Sequence, residues 1–283
     1  MFKVNPFMKK KIVFVAIFLL LCFSLSAQAG LRIYLEEVNG EFTIVRTEGN
    51  VRELVIPESV NGIPVTAIGE GAFVQRGLTM LTIPDSVVEI GESAFAFNSL
   101  SALVIGDNVG SIGRNAFANN RLNDIVIGAG VVNIGTGAFA DNELVSVEIP
   151  DSVVTIEPFA FFNNRLRAVV IPDSVTTIGE GAFSTNAIYS VVLGNSVEAV
   201  GDGAFFDNQI INISIPPSLN TMGRRVFEGR ITQRGAALPV DFFDETGVMI
   251  FSTSTNFDNY FSTTGRRPGN YSFARGEGWI FEQ

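Results

Sequence analysis

A repeat of 22 residues constrains this chain more than any other feature. Phenylalanine recurs at that interval at Phe73, Phe95, Phe117, Phe139, Phe161, Phe183, Phe205 and Phe227. Leucine or isoleucine keeps the same step at Leu78, Leu100, Leu122, Leu144, Leu166, Ile188 and Ile210. We number each unit from this leucine or isoleucine, and apolar or small residues then fill positions 1, 4, 6, 10, 13, 17 and 18. Neither a 3.6-residue nor a 2-residue period is sustained, so the pattern excludes an ordinary amphipathic helix and a meander of long strands.

Each unit is predicted to form one coil of a solenoid. A single coil cannot bury its apolar row, whereas stacked coils bury it continuously. Positions 4 to 6 alternate and are rich in valine and isoleucine, so we expect a short strand in parallel pairing with the next coil, about 4.8 Å away. Positions 7 to 9, as in Pro84-Asp85-Ser86, end that strand because proline cannot donate to a ladder and the polar residues favour a turn.

The second half of each unit carries three further regular features. Glycine recurs at position 14, from Gly69 to Gly223 with only Glu157 breaking the series, which implies positive φ or very close backbone approach. The Ala-Phe pair at positions 17 and 18 is expected on a short helical turn, with the phenylalanines stacked as a spine through the core. Asparagine at position 21, from Asn98 to Asn208, can satisfy backbone groups of its own and the neighbouring coil.

The unit resembles the BspA-like class of leucine-rich repeats, whose usual pattern is close to LxxLxLPxxLxxIGxxAFxxCxx. The likeness runs from Leu54 to Arg230, and the segment Val55–Val65 is similar to the family's first unit, which carries a short Asn-Gly insertion. Here asparagine stands where the family has cysteine, and each unit is one residue shorter after it. The resemblance implies a mainly β, right-handed superhelical solenoid with a parallel sheet on its concave face. Short helical turns and extended segments complete each coil, and hairpins cap the ends.

The segments before and after the repeats have different characters. Residues 1–29 resemble a secretory signal peptide, because Lys9–Lys11 precedes an apolar run from Ile12 to Leu25 and Ala27-Gln28-Ala29 supplies a cleavage site. Met1 and Met8 both remain candidate starts, and bulky Leu21 disfavours lipid anchoring at Cys22. We expect a β-hairpin cap at 30–53 that turns at Asn39-Gly40, eight repeats at 54–230, and a C-terminal cap with a terminal hairpin at 231–283.

Residues that are missing exclude several chemistries. The chain has no histidine, its one cysteine is Cys22, and all four lysines lie in the first eleven residues. Without residues 1–29 the chain therefore has no histidine, cysteine or lysine. A Ser-His-Asp triad, a Cys-His dyad, a lysine Schiff base and a zinc site of His or Cys are then impossible. We predict that the protein is not an enzyme and that it needs no cofactor or metal.

The net charge disfavours nucleic acid as a partner. Without residues 1–29, the 19 basic residues less the four lysines leave 15 arginines against 29 acids, a net charge of −14 that repels a polyanion.

Carboxylates are the remaining candidates for chemistry. Paired acids could serve a glycosidase, and aspartate recurs at position 8 as Asp85, Asp107, Asp151 and Asp173. We favour turn formation for these aspartates. A calcium site is disfavoured because no Asp-x-Asp-x-Asp loop is present.

A binding surface fits the sequence better. In this family, strand positions 3 and 5 point out from the concave sheet. They read Met80 and Thr82, Ala102 and Val104, Asp124 and Val126, Ser146 and Glu148, Ala168 and Val170, Ser190 and Val192, and Asn212 and Ser214. Exposed valines there could form an apolar recognition patch, or valine could simply favour the strand. Phe97, Phe162, Tyr189 and Phe206 could be exposed aromatic residues or could pack between coils.

We therefore predict an exported, monomeric protein-interaction or adhesion module at the cell surface or outside the cell, with a periplasmic location left open. Its partner is expected to be another protein, either of a host matrix or of a neighbouring cell, and we expect no transmembrane segment after cleavage. The alternatives are a structural envelope protein without a soluble ligand and a carboxylate-dependent carbohydrate-active protein.

Overall fold

The computed structural model describes residues 31–227 and five short strands outside that range, at 12–13, 241–243, 249–252, 269–274 and 278–282. Cys22, the predicted cleavage site before Gly30 and most of residues 231–283 lie outside the described residues. Within the described ranges every regular element is a β-strand. The 22-residue units stack as coils of a β-solenoid, which confirms the predicted fold class.

Of the described strands, β1 Ile12–Val13, β2 Arg32–Val38 and β3 Glu41–Glu48 precede the first coil. The first coil contains β4 Glu53–Val55, β5 Ser59–Val60 and β6 Ile63–Ile68, and β3 pairs in parallel with β6. β2 and β3 pair antiparallel around Asn39 and Gly40, whose φ values of 56° and 82° are those of a tight hairpin turn. The inserted Asn61-Gly62 makes a second such turn between β5 and β6.

One side of each coil, named here the long-strand side, carries positions 3 to 6. Its strands are β4 and then β7 Met80–Ile83, β9 Ala102–Ile105, β11 Asp124–Val126, β14 Ala168–Val170, β16 Ser190–Val192 and β18 Asn212–Ile215. They pair in parallel with a register of one repeat, but they form two separate sheets. The coil that begins at Leu144 contributes no strand to this side.

A second side, named the short-strand side, carries positions 12 and 13. Its two-residue strands are β8 Glu89–Ile90, β10 Ser111–Ile112, β12 Asn133–Ile134, β13 Thr155–Ile156, β15 Thr177–Ile178, β17 Ala199–Val200 and β19 Thr221–Met222. Together with β1, β2, β3, β5 and β6 they form one sheet of 12 strands. The long-strand sheet was predicted, whereas this second sheet was not.

The third side, named the turn side, carries positions 15 to 20. The sequence predicts a short helical turn there, but each coil instead makes two hydrogen-bonded turns, in which Ala94 N–H donates to Gly91 and Ala96 N–H to Ser93. Residues at positions 16 and 20 have positive φ, such as 53° at Ser93 and 57° at Phe97, so a helix cannot propagate. The backbone of this side also bonds coil to coil, since Phe95 N–H donates to the Ala116 carbonyl at 2.8 Å.

Phenylalanine and asparagine columns hold the coils together inside. The rings of Phe73 to Phe227 stack with centroids 4.9 to 5.5 Å apart, as the predicted spine requires. Buried Asn120 donates to the carbonyls of Phe95 and Phe117 and accepts from the Leu100 N–H at 3.0 Å. Each asparagine therefore bonds its own coil and the preceding one, which confirms the predicted role of position 21.

Position 14 shows why glycine recurs there. None of the glycines at this position has positive φ, but a Cβ on Gly113 would lie 2.6 Å from both the Gly91 carbonyl carbon and the Ile90 oxygen. Close approach of neighbouring backbones, the second of the two predicted reasons, is therefore the cause.

Glu157 replaces this glycine in one coil and makes bonds of its own. Its carboxylate accepts from the Asn133 amide at 2.9 Å and from the Thr136 hydroxyl and backbone N–H. Partial burial acts to raise the pKa of Glu157, but these three hydrogen bonds together outweigh it, and the pKa is lowered.

The C-terminal strands extend the long-strand side beyond the last coil. They are β20 Asp241–Phe243, β21 Met249–Ser252, β22 Gly269–Ala274 and β23 Gly278–Glu282. β22 pairs antiparallel with β18, and β22 and β23 form a hairpin. The strand that adjoins the final coil is thus β22, while β20 and β21 lie beyond β23 in the same sheet.

Candidate binding surface

Alternation along the long strands separates core from surface. In β7, Leu81 and Ile83 at positions 4 and 6 are 2% and 1% exposed, whereas Met80 at position 3 is 49% exposed. Val104 at position 5 of β9 is 43% exposed between buried Leu103 and Ile105. Because successive side chains on a strand point to opposite faces, positions 3 and 5 face outward as the sequence predicts.

The structure divides the fourteen predicted surface residues into two groups of six and one pair. Met80, Thr82, Ala102, Val104, Asp124 and Val126 lie on the paired strands β7, β9 and β11. Ala168, Val170, Ser190, Val192, Asn212 and Ser214 lie on the paired strands β14, β16 and β18. Ser146 and Glu148 belong to the coil without a long strand, so the structure does not join the two groups into one sheet.

A column of valines at position 5 is the main apolar feature of this surface. Val55, Val104, Val126, Val170 and Val192 are between 42% and 63% exposed. Exposed Glu148 interrupts the column between Val126 and Val170. Sequence reasoning missed Val55, because the Asn-Gly insertion moves it 27 rather than 22 residues before Thr82. Aligning the first unit on its own Val-Ile-Pro would have found it.

Two grooves follow the valine column, one in each half. The larger has a volume of about 900 Å³ and spans four coils, from Val55 to Val126. The smaller has about 620 Å³ and spans Val170 and Val192 to Ser214. Each groove lies in the corner between the position 5 side chains and the turn at positions 7 and 8, such as Pro84-Asp85.

Aspartates at position 8 form one wall of these grooves and also hold the coils in register. Asp85 Oδ1 accepts from the backbone N–H of Asp107 at 2.8 Å, and Asp107 Oδ1 accepts from that of Ala129 at 2.9 Å. Asp173 does the same for Asn195 at 2.7 Å. These bonds join neighbouring coils, so they assign the aspartates a structural role in stacking.

The exposed aromatic candidates do not form one patch. Phe97 and Tyr189 are 55% and 46% exposed. Phe162 is half-buried and meets the Phe159 ring edge-on with centroids 5.9 Å apart. Phe206, also half-buried, lies under the Arg225 guanidinium, whose carbon is 4.5 Å from the ring centroid. Packing within one coil thus accounts for Phe162, and packing between coils accounts for Phe206.

Exposure alone does not single out the long-strand side. Val88, Val132 and Val154, at position 11 beside the short strands, are 40% to 50% exposed. What distinguishes the long-strand valines is the groove beside them and its acidic wall. The position 11 valines are therefore a natural comparison set for binding experiments.

In the described part of the chain, no group of three or more His, Cys, Asp or Glu side chains comes together in a way that could hold a metal ion. Likewise, no helix among the described residues is long and apolar enough to cross a membrane.

Comparison with protein families decides the relationship. The model of the BspA type leucine rich repeat region matches in six copies over residues 47–164 and 110–234, well over half of the chain. This protein belongs to the BspA-type leucine-rich repeat family. No curated protein matches the chain significantly.

Solved structures of bacterial leucine-rich repeat proteins are similar to this chain. A leucine-rich repeat protein from Bacteroides ovatus is 27% identical with a TM-score of 0.60, and the match covers 71% of this chain and 55% of that one. A leucine rich cell surface protein from Faecalibacterium prausnitzii is 24% identical over 68% of this chain and 74% of that chain, with a TM-score of 0.42. A T. pallidum leucine rich repeat protein is 25% identical over 65% and 78%, with a TM-score of 0.45.

Proposed function

We propose that this BspA-type protein is an exported, non-enzymatic interaction module that binds another protein at or outside the cell surface, as an adhesion module does. The observation that carries the proposal is the valine column of the long-strand side with its two grooves. Contiguous exposed apolar surface beside a groove is typical of interaction sites. The repeat makes each half of this surface regular over several coils, which suits an extended contact.

Export is supported by the sequence of residues 1–29 and is part of the proposal. Edman sequencing of the protein recovered from its native host should give an N-terminus near Gly30. Labelling of intact cells with an antibody against the repeats should then distinguish surface exposure from a periplasmic location.

Binding can be tested with a matched pair of surface variants. The purified protein is passed over immobilised extracellular-matrix and cell-surface proteins. Each bound protein is retested with Val104, Val126, Val170 and Val192 all changed to serine. The control changes Val88, Val132 and Val154 to serine, a set of similar exposure on the short-strand side.

We expect the long-strand variant to lose binding and the control variant to keep it. If the panel yields no partner, the proposed protein-binding role fails. If the long-strand variant binds a partner as the parent does, the long-strand side is not the binding surface. Thermal unfolding of each variant checks that the substitutions leave the solenoid folded.

A further inference from the structure

We infer that the larger groove accepts a cationic amphipathic α-helix, with an apolar stripe on the valines and Lys or Arg beside it. The inference rests on the proposed function and names the kind of segment that the surface fits. It concerns the groove from Val55 to Val126, which spans four coils and has the larger volume of about 900 Å³.

The spacing of the coils points to a helix. Neighbouring coils are one strand spacing apart on this side, so three steps from the first coil to the fourth cover about 15 Å. Three turns of an α-helix rise about 16 Å, and a helix with an apolar stripe presents one or two apolar side chains per turn. Such a helix can therefore place an apolar side chain at each coil.

An extended segment does not match this spacing. Its same-face side chains repeat every two residues, so three such steps cover about 20 Å and fall out of register with the coils. A polyproline helix repeats about every 9 Å and matches no better. Of these three regular conformations, only the α-helix has an axial repeat close to the spacing between neighbouring coils.

The apolar part of the groove is formed by Val55, Val104 and Val126, which are 43% to 55% exposed. Half-buried Thr82 occupies the remaining coil between Val55 and Val104 and presents a methyl group as well as a hydroxyl. An apolar stripe laid along this column would be removed from water at all four coils, which is how amphipathic helices bind grooves.

Charge selects a cationic helix. The groove wall carries Glu58, Asp85 and Asp107, all exposed, and no Lys or Arg is among the described residues that line the groove. On the other side of the valines, exposed Glu53 and Asp124 occupy position 3 in the outer two of the four coils. A helix with Lys or Arg on both flanks of its stripe would meet carboxylates on either side, whereas an acidic helix would be repelled.

The test uses three synthetic peptides of about 14 residues. The first and the third are stapled on the solvent face to hold them helical, because free helices of this length are marginal in water. The first has leucines at i, i+3, i+7 and i+10 with flanking lysines. The second has the same composition, unstapled, with leucine and lysine alternating as in a strand. The third keeps the first design but carries glutamate in place of lysine. Affinities for the purified protein are measured by fluorescence anisotropy at two salt concentrations.

We expect the helical lysine peptide to bind at least about tenfold more tightly than either control peptide, with weaker binding at higher salt. The triple variant Glu58→Gln, Asp85→Asn, Asp107→Asn keeps oxygen acceptors at these positions and should weaken binding about tenfold while flattening the salt dependence. The Val104→Ser, Val126→Ser variant should weaken it at least as much. The matched control Asp151→Asn, Asp173→Asn alters the smaller groove and should change affinity less than about twofold.

Three results would overturn the inference. The alternating peptide could bind as tightly as the helical one, the glutamate peptide could bind as tightly as the lysine peptide, or the triple variant could bind as the parent does. Failure of the helix assignment differs from failure of the proposed function. In the first case the valine variants still lose the partner found in the protein panel, and in the second they lose nothing.

Discussion

The long-strand and short-strand sides belong to the same coils, yet they behave differently in the coil that begins at Leu144. On the short-strand side, β12, β13 and β15 pair without a break. On the long-strand side of that coil, no backbone hydrogen bond involves Val147, Glu148 or Ile149 within the described residues. The solenoid therefore does not need all three sides of every coil to be bonded.

The other two sides explain why the gap is tolerated. In the same coil Glu157 N–H donates to the Ile134 carbonyl at 2.9 Å, and Phe161 N–H donates to the Ala182 carbonyl at 2.8 Å. Ile149 remains buried at 6% exposure, so the core is continuous where the sheet is not. Hydrogen bonds and packing on two sides hold the stack, and the long-strand side is left to vary and to form two separate grooves.

The largest effect should come from breaking the phenylalanine stack. Phe139→Ala removes a fully buried ring that stacks on Phe117 and Phe161 at 5.4 and 5.3 Å. We expect the free energy of unfolding in urea to fall by about 3–5 kcal/mol. The matched control is Phe97→Ala, at a side chain 55% exposed on the same turn side, and it should cost less than about 1 kcal/mol. Equal losses would mean that the stack contributes no more than surface contacts do.

A smaller effect is expected from crowding the short-strand side. The Cβ of Gly113→Ala would lie 2.6 Å from backbone atoms of the preceding coil, and we expect a loss of about 1–3 kcal/mol. Gly110→Ala is the control three residues away, because the one atom near its added Cβ is the Val88 oxygen at 3.8 Å. That change should be neutral or stabilise by up to about 1 kcal/mol. If both variants unfold at the same temperature, close approach is not what selects glycine at position 14.

The smallest effect concerns Glu157 and pH. The folded-state pKa of Glu157 lies below its ordinary value, so the ionised form is favoured by folding. Its contribution to stability is fully present above the ordinary glutamate pKa and is lost as the pH falls below that value through the lowered one. In Glu157→Gln, acid unfolding should therefore depend less steeply on pH in that range. Glu148→Gln removes a carboxylate from the same coil that accepts none of these hydrogen bonds, and a matching change there would contradict the assignment.

The repeat predicts most of the architecture, because inward positions keep their residue type from coil to coil. The phenylalanine stack, the asparagine bonds and the outward direction of positions 3 and 5 all follow from it. The gap at Val147–Ile149 could not be predicted, since Val147 and Ile149 occupy positions 4 and 6 as in the paired strands. The apolar positions of the repeat indicate which side chains face the core. Strand pairing depends instead on how closely the backbones of neighbouring coils approach each other.

The short-strand side and the positive-φ positions were missed for other reasons. Two-residue strands such as Glu89–Ile90 are too short to show an alternating pattern. The left-handed positions are held by residues such as Ser93, Phe97 and Asn115 rather than by glycine throughout, so composition gives no consistent signal. The binding surface was predicted as one row of positions 3 and 5, and the grooves at positions 7 and 8 depend on how the turn folds back beside the strand.

Amide hydrogen exchange within the single coil that begins at Leu144 tests the central comparison most directly. The amides of Glu157 and Phe161 are bonded to neighbouring coils, whereas those of Val147 and Glu148 have no backbone acceptor in the described structure. We predict that Val147 and Glu148 exchange at least about a hundredfold faster than Glu157 and Phe161 in the folded protein. Equal protection at the four sites would mean that the long-strand side is bonded as continuously as the other two sides. The conclusion that the short-strand and turn sides hold the stack while the long-strand side is free to vary would then be wrong.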